Sequence, residues 1–303
     1  MQPEDWNDYQ IFLAVARAGK IARAAIALGI DATTVSRRLR RLEARLEATL
    51  FEQTREGQLL TEAGERLLAK VESMARAAAD ISESGRASGG LSGTLRVSVS
   101  EGFGSWFLAR HLKEFAHAHP NLTVDLVASS GFLSPSKREA DVAVVLSRPK
   151  AGPLIARKLS DYALRLYATP AYLAERGAPQ QPADLAHGHD LVGYVPDLLY
   201  APELRYLNEI CPEPELHPSL RSSSINAQHA LIASGAGVGV LPCFIGDADP
   251  SLVPALPGQF IVRSFWLVMH KDNYSLARIE GWKEWLLDCV RRNQATLMPQ
   301  NAL

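Results

Sequence analysis

Apolar positions recur at helical spacing from the start of the chain. Trp6, Tyr9, Phe12 and Ala16 mark one face over residues 5–18 and Gly19 follows as a stop, which predicts a first amphipathic helix. The run IARAAIALG predicts a second, short and alanine-rich helix against which neighbours can pack closely, with Gly29 suited to the left-handed position after its last turn. Asp31 is a good N-cap for a third helix, and Val35, Leu39, Leu42 and Leu46, spaced four, three and four, form its core face. Thr61 can cap a fourth helix, whose apolar positions Leu67, Val71, Met74, Ala78 and Ile81 follow a four, three, four, three spacing like a coiled-coil seam. That stripe predicts dimerisation; the alternative is a helix packed on its own domain, since fewer than three heptads are present. GRASGGLSG, from Gly85 to Gly93, then reads as a flexible hinge. Beyond it LRVSVS, TVDLVA, ADVAVVL, LRLYAT, VGVLP and FWLVMH read as strands between helical segments, which argues for parallel α/β structure. The clearest of those helices carries Phe107, Leu108, Leu112 and Phe115, with Pro120 beyond its end.

The polar face of the third helix is unusual. It carries Thr33, Thr34, Ser36, Arg37, Arg40 and Arg41, with Arg38 and Arg45 flanking and Glu43 opposing. A helix entering the DNA major groove needs short polar side chains and arginine near its N-terminus for base edges, and basic flanks for phosphates. A basic run is more often a solvated helix face, so RRLRR alone does not decide the matter. The formal net charge of −1 offers no global attraction to nucleic acid, so the argument rests on this cluster.

Length and composition narrow the classes. A chain of 303 residues fits two or three domains, and 47% hydrophobic with 21% charged residues is ordinary for a globular protein. No apolar run approaches the roughly 18–20 residues of a membrane span. The start MQPEDWNDYQ lacks the features of an export signal, so a cytoplasmic location is expected. Cys211, Cys243 and Cys289 are odd in number and far apart, which speaks against disulfides and zinc; they read as reduced thiols. An enzyme is not expected, because GxSxG, HExxH, GxGxxG after a strand and GxxxxGKS are all missing. Gly235, Gly237 and Gly239 follow a helix and precede a strand, which makes them a turn. His111, His117 and His119 share no helical face, and His187 with His189 falls in a loop, so neither a metal nor a cofactor is implied. The main rival to a DNA-binding protein is a solute sensor whose N-terminal domain contacts protein.

Taken in order, AIALGIDATTVSRRLRRLEARL and LFEQTREGQLLTEAGERLL resemble the winged helix-turn-helix of the LysR-type transcriptional regulators. The resemblance implies a wing beginning at LF, with Arg55 fitted to the DNA backbone or minor groove, and a linker helix after LTEAG. Three positions depart from the family pattern. Ala32 replaces a frequent glutamine and removes a potential adenine reader, shifting base reading to Thr33, Thr34, Ser36 and Arg37. Gln53 stands where the wing usually has arginine, which lowers affinity and flattens the salt dependence. Glu47 replaces the usual glycine after the recognition helix, where left-handed geometry costs on the order of 1 kcal/mol.

HLKEFAHAHPNLTVDL, EADVAV, TPAYLAERGAPQQPADLAHGHDLVGY, ASGAGVGVLP and the terminal tryptophan-bearing helix resemble the family's effector domain, so the likeness spans nearly the whole chain. It implies an all-α winged helix-turn-helix over residues 1–60, a linker helix and hinge over 61–93, and a periplasmic-binding-protein-like α/β domain over 94–303. That domain would comprise subdomain I (about 94–161 and 265–303) and subdomain II (about 162–264), with a ligand cleft between them. Candidate cleft residues are Ser100 and Glu101 after the first strand, Ser129 and Ser130 after the second, and Ser222, Ser223, Ser224 and Asn226 before a late helix. Each alone is more often a helix cap. A carboxylate at position 101 repels an anionic effector unless protonated or paired, which points to a neutral or amine-bearing one. The partners implied are double-stranded DNA, a small-molecule effector, a second copy of the chain, a homotetramer as the usual family arrangement, and RNA polymerase.

Overall fold

The computed structural model describes residues 5–54, 57–84, 90–131, 133–137, 139–274 and 276–299. Arg55 and residues 85–89 of the hinge lie outside the described residues, as do the side chains of Ile81 and its neighbours at the end of the linker helix. The chain divides into two compact units, Met1–Gly89 and Gly90–Leu303.

The first unit contains α1 (Trp6–Ala18), α2 (Ile21–Leu28), α3 (Ala32–Leu46), the antiparallel hairpin β1 (Phe51–Gln53) and β2 (Gln58–Leu60), and α4 (Glu62–Ser84). Local chemistry sets the boundaries. The Asp5 carboxylate accepts from the Asn7 amide and caps α1, while Gly19 and Gly29 end α1 and α2 with φ of 66° and 67°. Asp31 caps α3, and Glu47 ends it in the left-handed region at φ 50°. The predicted stripes close on one core around Phe12, Val15, Ala24, Val35, Leu39 and Leu42, each at most 5% exposed. The Gln58 amide donates to the Gly19 carbonyl at 2.8 Å and ties the hairpin to the end of α1.

Among its described residues the second unit is built on a nine-stranded sheet of order β4-β3-β5-β11-β6-β9-β7-β8, with β10 paired to β6. In chain order the elements begin with β3 (Gly93–Ser100), a π-helical turn Phe103–Leu108 leading into α5 (Ala109–Ala118), β4 (Leu122–Ser129) and β5 (Val142–Val145). Next come β6 (Leu154–Ala168), α6 (Pro170–Arg176), β7 (Leu191–Gly193), α7 (Tyr206–Ile210) and β8 (Leu220–Arg221). The chain continues through α8 (Ile225–Ala233), β9 (Val238–Pro242), α9 (Cys243–Gly246), β10 (Val253–Pro254), β11 (Ile261–His270), α10 (Ala277–Arg292) and α11 (Gln294–Leu297).

The sheet is mixed, which corrects the parallel reading. β3, β4 and β5 are mutually parallel, and so are β7, β8 and β9, but the long strands β6 and β11 are antiparallel to each other and run through both sets. β5 pairs with the second half of β11, and β9 with the second half of β6. The two parallel sets therefore run in opposite senses and form two lobes, whose strands all end toward the middle of the β6–β11 pair. A bulge between Phe265 and Trp266 marks that point. Phe265 stacks there on Tyr162, with ring centroids 4.1 Å apart, and contacts Phe103 at 4.5 Å. The ends of parallel strands where their direction switches are where α/β folds place ligands.

Replacing Glu47 by glycine removes the left-handed penalty. We expect the first unit to gain about 0.5–1 kcal/mol, read as a higher denaturant midpoint for its unfolding step in the full chain. An unchanged midpoint would show that the Glu47 side chain offsets the strain.

Candidate nucleic-acid interface and ligand cleft

Asp31 does more than cap α3. Its carboxylate accepts from the Thr33 hydroxyl, from the Thr34 amide at 2.7 Å and from the Thr34 hydroxyl at 2.7 Å. These bonds, led by the Thr33 hydroxyl, hold the carboxyl far below the usual carboxylate range. With both hydroxyl protons committed, Thr33 and Thr34 present only lone pairs and methyl groups to a partner. Ala32, Thr33, Ser36, Arg37 and Arg40 line one shallow surface depression. Arg37 and Arg40 are exposed, and their guanidinium groups have no ion-pair partner among the described residues.

The other arginines behave differently. Arg41 Nη2 lies 2.8 Å from Asp8 Oδ2 and 3.3 Å from Asp5 Oδ2, Arg38 reaches both carboxylates at 4.0 Å, and Arg45 lies 3.4 Å from Asp8. Asp8 is completely buried. Its hydrogen bonds raise the Arg41 guanidinium above its ordinary range. The basic face is thus divided: positions 38, 41 and 45 form a stripe ion-paired to α1, whereas Arg37 and Arg40 are exposed and free of ion pairs among the described residues.

The pairing seam needs a similar correction. Val71 is fully buried in the core of its own unit, against which the half-buried Leu67 also packs, so Val71 is not free for a partner. Met74 is 44% exposed and Ala78 half-buried.

In the second unit the strand ends bring together Ser100, Glu101, Ser224 and Asn226. Glu101 Oε1 accepts from the Ser224 hydroxyl at 2.8 Å and from Asn226 Nδ2 at 3.0 Å, and its Oε2 accepts from the Ile225 amide at 3.0 Å. The carboxylate of one lobe thus sits on the N-terminus of α8 in the other, where free amides and the helix dipole favour negative charge. The indole of Trp106 adds a second bond across the gap, donating to Asn226 Oδ1 at 2.7 Å. Ser222 accepts from the Ser224 amide, while Ser223 is half-buried beside it. The Ser129 hydroxyl donates instead to the Gly131 carbonyl, apart from the Glu101 cluster, and of the eight candidate residues Ser100 lines the remaining space itself.

Little space remains in the cleft, about 20 Å³, bounded by Ser100, Phe244, Tyr162, Tyr194, Tyr200 and Tyr206. Burial pushes the phenols of Tyr162, Tyr194 and Tyr206 up, and burial together with the Glu101 charge pushes Tyr200 up to about 12. The tyrosines at 194, 200 and 206 escaped the sequence reading because they lie among short 3-10 turns, at Pro196–Leu198 and Pro202–Leu204, with no period to follow. Burial also pushes the thiols of Cys243 and Cys289 up to about 11, which keeps them protonated and unreactive at neutral pH. Among the described residues no cluster of His, Cys, Asp or Glu could hold a metal, and no helix is long and apolar enough to cross a membrane.

The contact across the lobes is testable. Glu101→Ala removes the acceptor of the Ile225 amide, and charge-assisted bonds of this kind contribute about 1.5–3 kcal/mol, toward the lower end for a half-exposed group. We expect faster hydrogen exchange at Ile225 in the variant. Unchanged protection would mean that lobe closure does not depend on Glu101.

Comparison with known proteins places these features. The chain matches the family models "Bacterial regulatory helix-turn-helix protein, lysR family" over residues 6–65 and "LysR substrate binding domain" over residues 88–290. It is 28% identical over 286 residues to the Mau operon transcriptional activator of Paracoccus denitrificans, covering 92% of this chain and 95% of that protein. With the HTH-type transcriptional regulator PtxR of Pseudomonas aeruginosa it shares 30% identity over 295 residues, 94% of this chain and 93% of PtxR. The structure of CrgA, a LysR-type transcriptional regulator from Neisseria meningitidis, aligns with a TM-score of 0.56 at 25% identity, over 94% of this chain and 99% of that one. The chain belongs to the LysR family of transcriptional regulators, with a helix-turn-helix DNA-binding domain followed by a substrate-binding effector domain.

Proposed function

We infer that the protein regulates transcription as a homodimer, or a pair of dimers, that reads a roughly two-fold symmetric DNA site through α3 and is switched by a ligand between the lobes of its effector domain. The observation that carries the DNA reading is the open face of α3, where Thr33, Ser36, Arg37 and Arg40 share one depression and both arginines lack ion-pair partners among the described residues. Arg37 suits the O6 and N7 acceptors of guanine. Thr33, with its proton donated to Asp31, suits the amino group of adenine or cytosine and the methyl of thymine. Arg38 and Arg41 act mainly by holding α3 on α1. Dimerisation draws support from the exposed Met74 and from an apolar groove of about 520 Å³ that Trp6, Leu13, Ala75 and Ala78 help to line.

Selection of duplex DNA from a random library by the purified protein tests this reading. The wild type should enrich a near-palindromic motif. Arg37→Ala should relax one position of it, and Arg40→Ala should weaken binding across sequences and lower the salt slope by about one if it contacts a phosphate. No enrichment by the folded wild type at moderate salt would favour a sensor that contacts protein.

For the effector we infer a small neutral or amine-bearing molecule. Glu101 already occupies the Ile225 amide at the N-terminus of α8 that an anion would use, and the lining of the remaining space is aromatic, aliphatic and hydroxylic, with no basic side chain. Calorimetry with benzylamine and benzoate separates the cases: benzylamine should bind more tightly, and Glu101→Gln should weaken it. Tighter binding of benzoate in a manner sensitive to Glu101 would reject the inference.

A further inference from the structure

A larger cavity, of about 240 Å³, lies wholly within the second lobe and is lined by no residue of the first. This is at the small end for ligand pockets, which run from roughly 300 Å³ upward, so its occupant is small. The walls are mostly aliphatic, with Val192, Leu204, Leu207, Leu216 and Val240. Polar side chains are also built into them: Tyr206, 5% exposed, and Gln228, 2% exposed, whose Nε2 donates to the Ser222 carbonyl at 3.1 Å. The mouth is different in kind. Arg205 and Arg221 stand there with His217, opposed by the single carboxylate of Glu215, and all four are exposed. Arg221 uses its Nε on the Pro218 carbonyl at 2.8 Å, and neither guanidinium has an ion-pair partner among the described residues.

We propose that this cavity is a second ligand site, apart from the cleft, for a small aliphatic monocarboxylate whose chain lies on the leucine and valine walls and whose head group is held by Arg205 and Arg221. An apolar body with one fixed charge at the mouth is the usual division of labour in such pockets. Two unpaired guanidinium groups select a carboxylate head, and Glu215 disfavours a second one. The site is regulatory by position. Tyr194, Leu204 and Tyr206 form a wall common to this cavity and the cleft. Gln228 belongs to α8, the helix whose N-terminus holds Glu101. A ligand here therefore acts on the same helix as the contact between the lobes, whether or not the DNA reading above holds.

Titration calorimetry on the full chain, with octanoate as the probe and octylamine as the charge-reversed control, tests the proposal. Octanoate should bind and octylamine should not. Arg205→Gln and Arg221→Gln should each weaken octanoate about fivefold, as partly solvated charge pairs do, and the double variant more than tenfold, while Arg176→Gln, on the exposed end of α6, should leave it unchanged. Both target side chains are exposed, so the variants should fold. No octanoate binding at millimolar concentration, equal binding of octylamine, or a double variant within twofold of the wild type would each overturn the proposal.

Discussion

Two lobes whose strands run in opposite senses leave the N-terminus of α8 facing the gap between them, and one carboxylate fills it. The first amides of any helix lack intrahelical partners and carry the positive end of its dipole. Ser224, the N-cap residue before α8, satisfies the Ala227 amide, and Glu101 reaches across to take the Ile225 amide. The same Glu101 also accepts from the Ser224 hydroxyl and the Asn226 amide, so the first lobe completes a cap that the second lobe begins. This interaction sets the geometry of the cleft, the charge inside it and the space left over. Opening the lobes exchanges each of these bonds for one to water, at a net cost of about 1.5–3 kcal/mol per charge-assisted bond. A ligand shifts that balance only by its differential affinity for the two arrangements.

A buried carboxylate plays the corresponding part in the first unit. Asp8 is fully shielded from water, a state that is strongly unfavourable without compensating charge. Arg38, Arg41 and Arg45, spaced along one side of α3, supply it. The angle between α1 and α3 is thereby held by ion pairs as well as by the packing of Phe12, Val35 and Leu39. One consequence is electrostatic: arginines that could have faced phosphates are partly neutralised, leaving Arg37 and Arg40 with short side chains between them.

What could be read from the sequence was what is decided locally. Gly19, Gly29, Asp31 and Glu47 act through their own backbone geometry, so the ends of α1, α2 and α3 were legible within a residue. The α4 stripe was legible as apolar, but periodicity cannot say whose core receives it, and Val71 went to its own unit. The same limit hid the split among the arginines, since a polar face drawn from α3 alone omits Asp8 on α1. The first half of β6 was missed because LIARKLSD alternates poorly and carries charges where the strand is half-exposed, although its pairing with β11 is continuous from Leu154 to Leu164 apart from the bulge. Ser129 looked like a ligand contact by position, but the turn at Gly131 claims its hydroxyl. The tyrosine lining and the second cavity depend on contacts among residues 192–240, a stretch of short turns whose partners only the folded sheet defines.

The two cavities of the effector domain meet at α8, and this bears on how the domain integrates signals. A molecule in the cleft acts on the N-terminus of the helix through Glu101, whereas one in the lobe cavity acts on its flank through Gln228 and on the shared wall through Tyr194 and Tyr206. Binding at either place can bias closure only to the extent that it prefers one position of α8, and by linkage the two preferences are reciprocal. An acid held at Arg205 and Arg221 that favours the closed lobes would raise the affinity of the cleft for its own ligand by the same factor as that ligand raises the affinity for the acid. On the reading proposed for the cleft, Glu101 disfavours anions there, whereas the arginines of the lobe cavity favour them, so the two sites would divide their ligands by charge. A single domain can then respond to two chemically distinct molecules without their competing for one pocket.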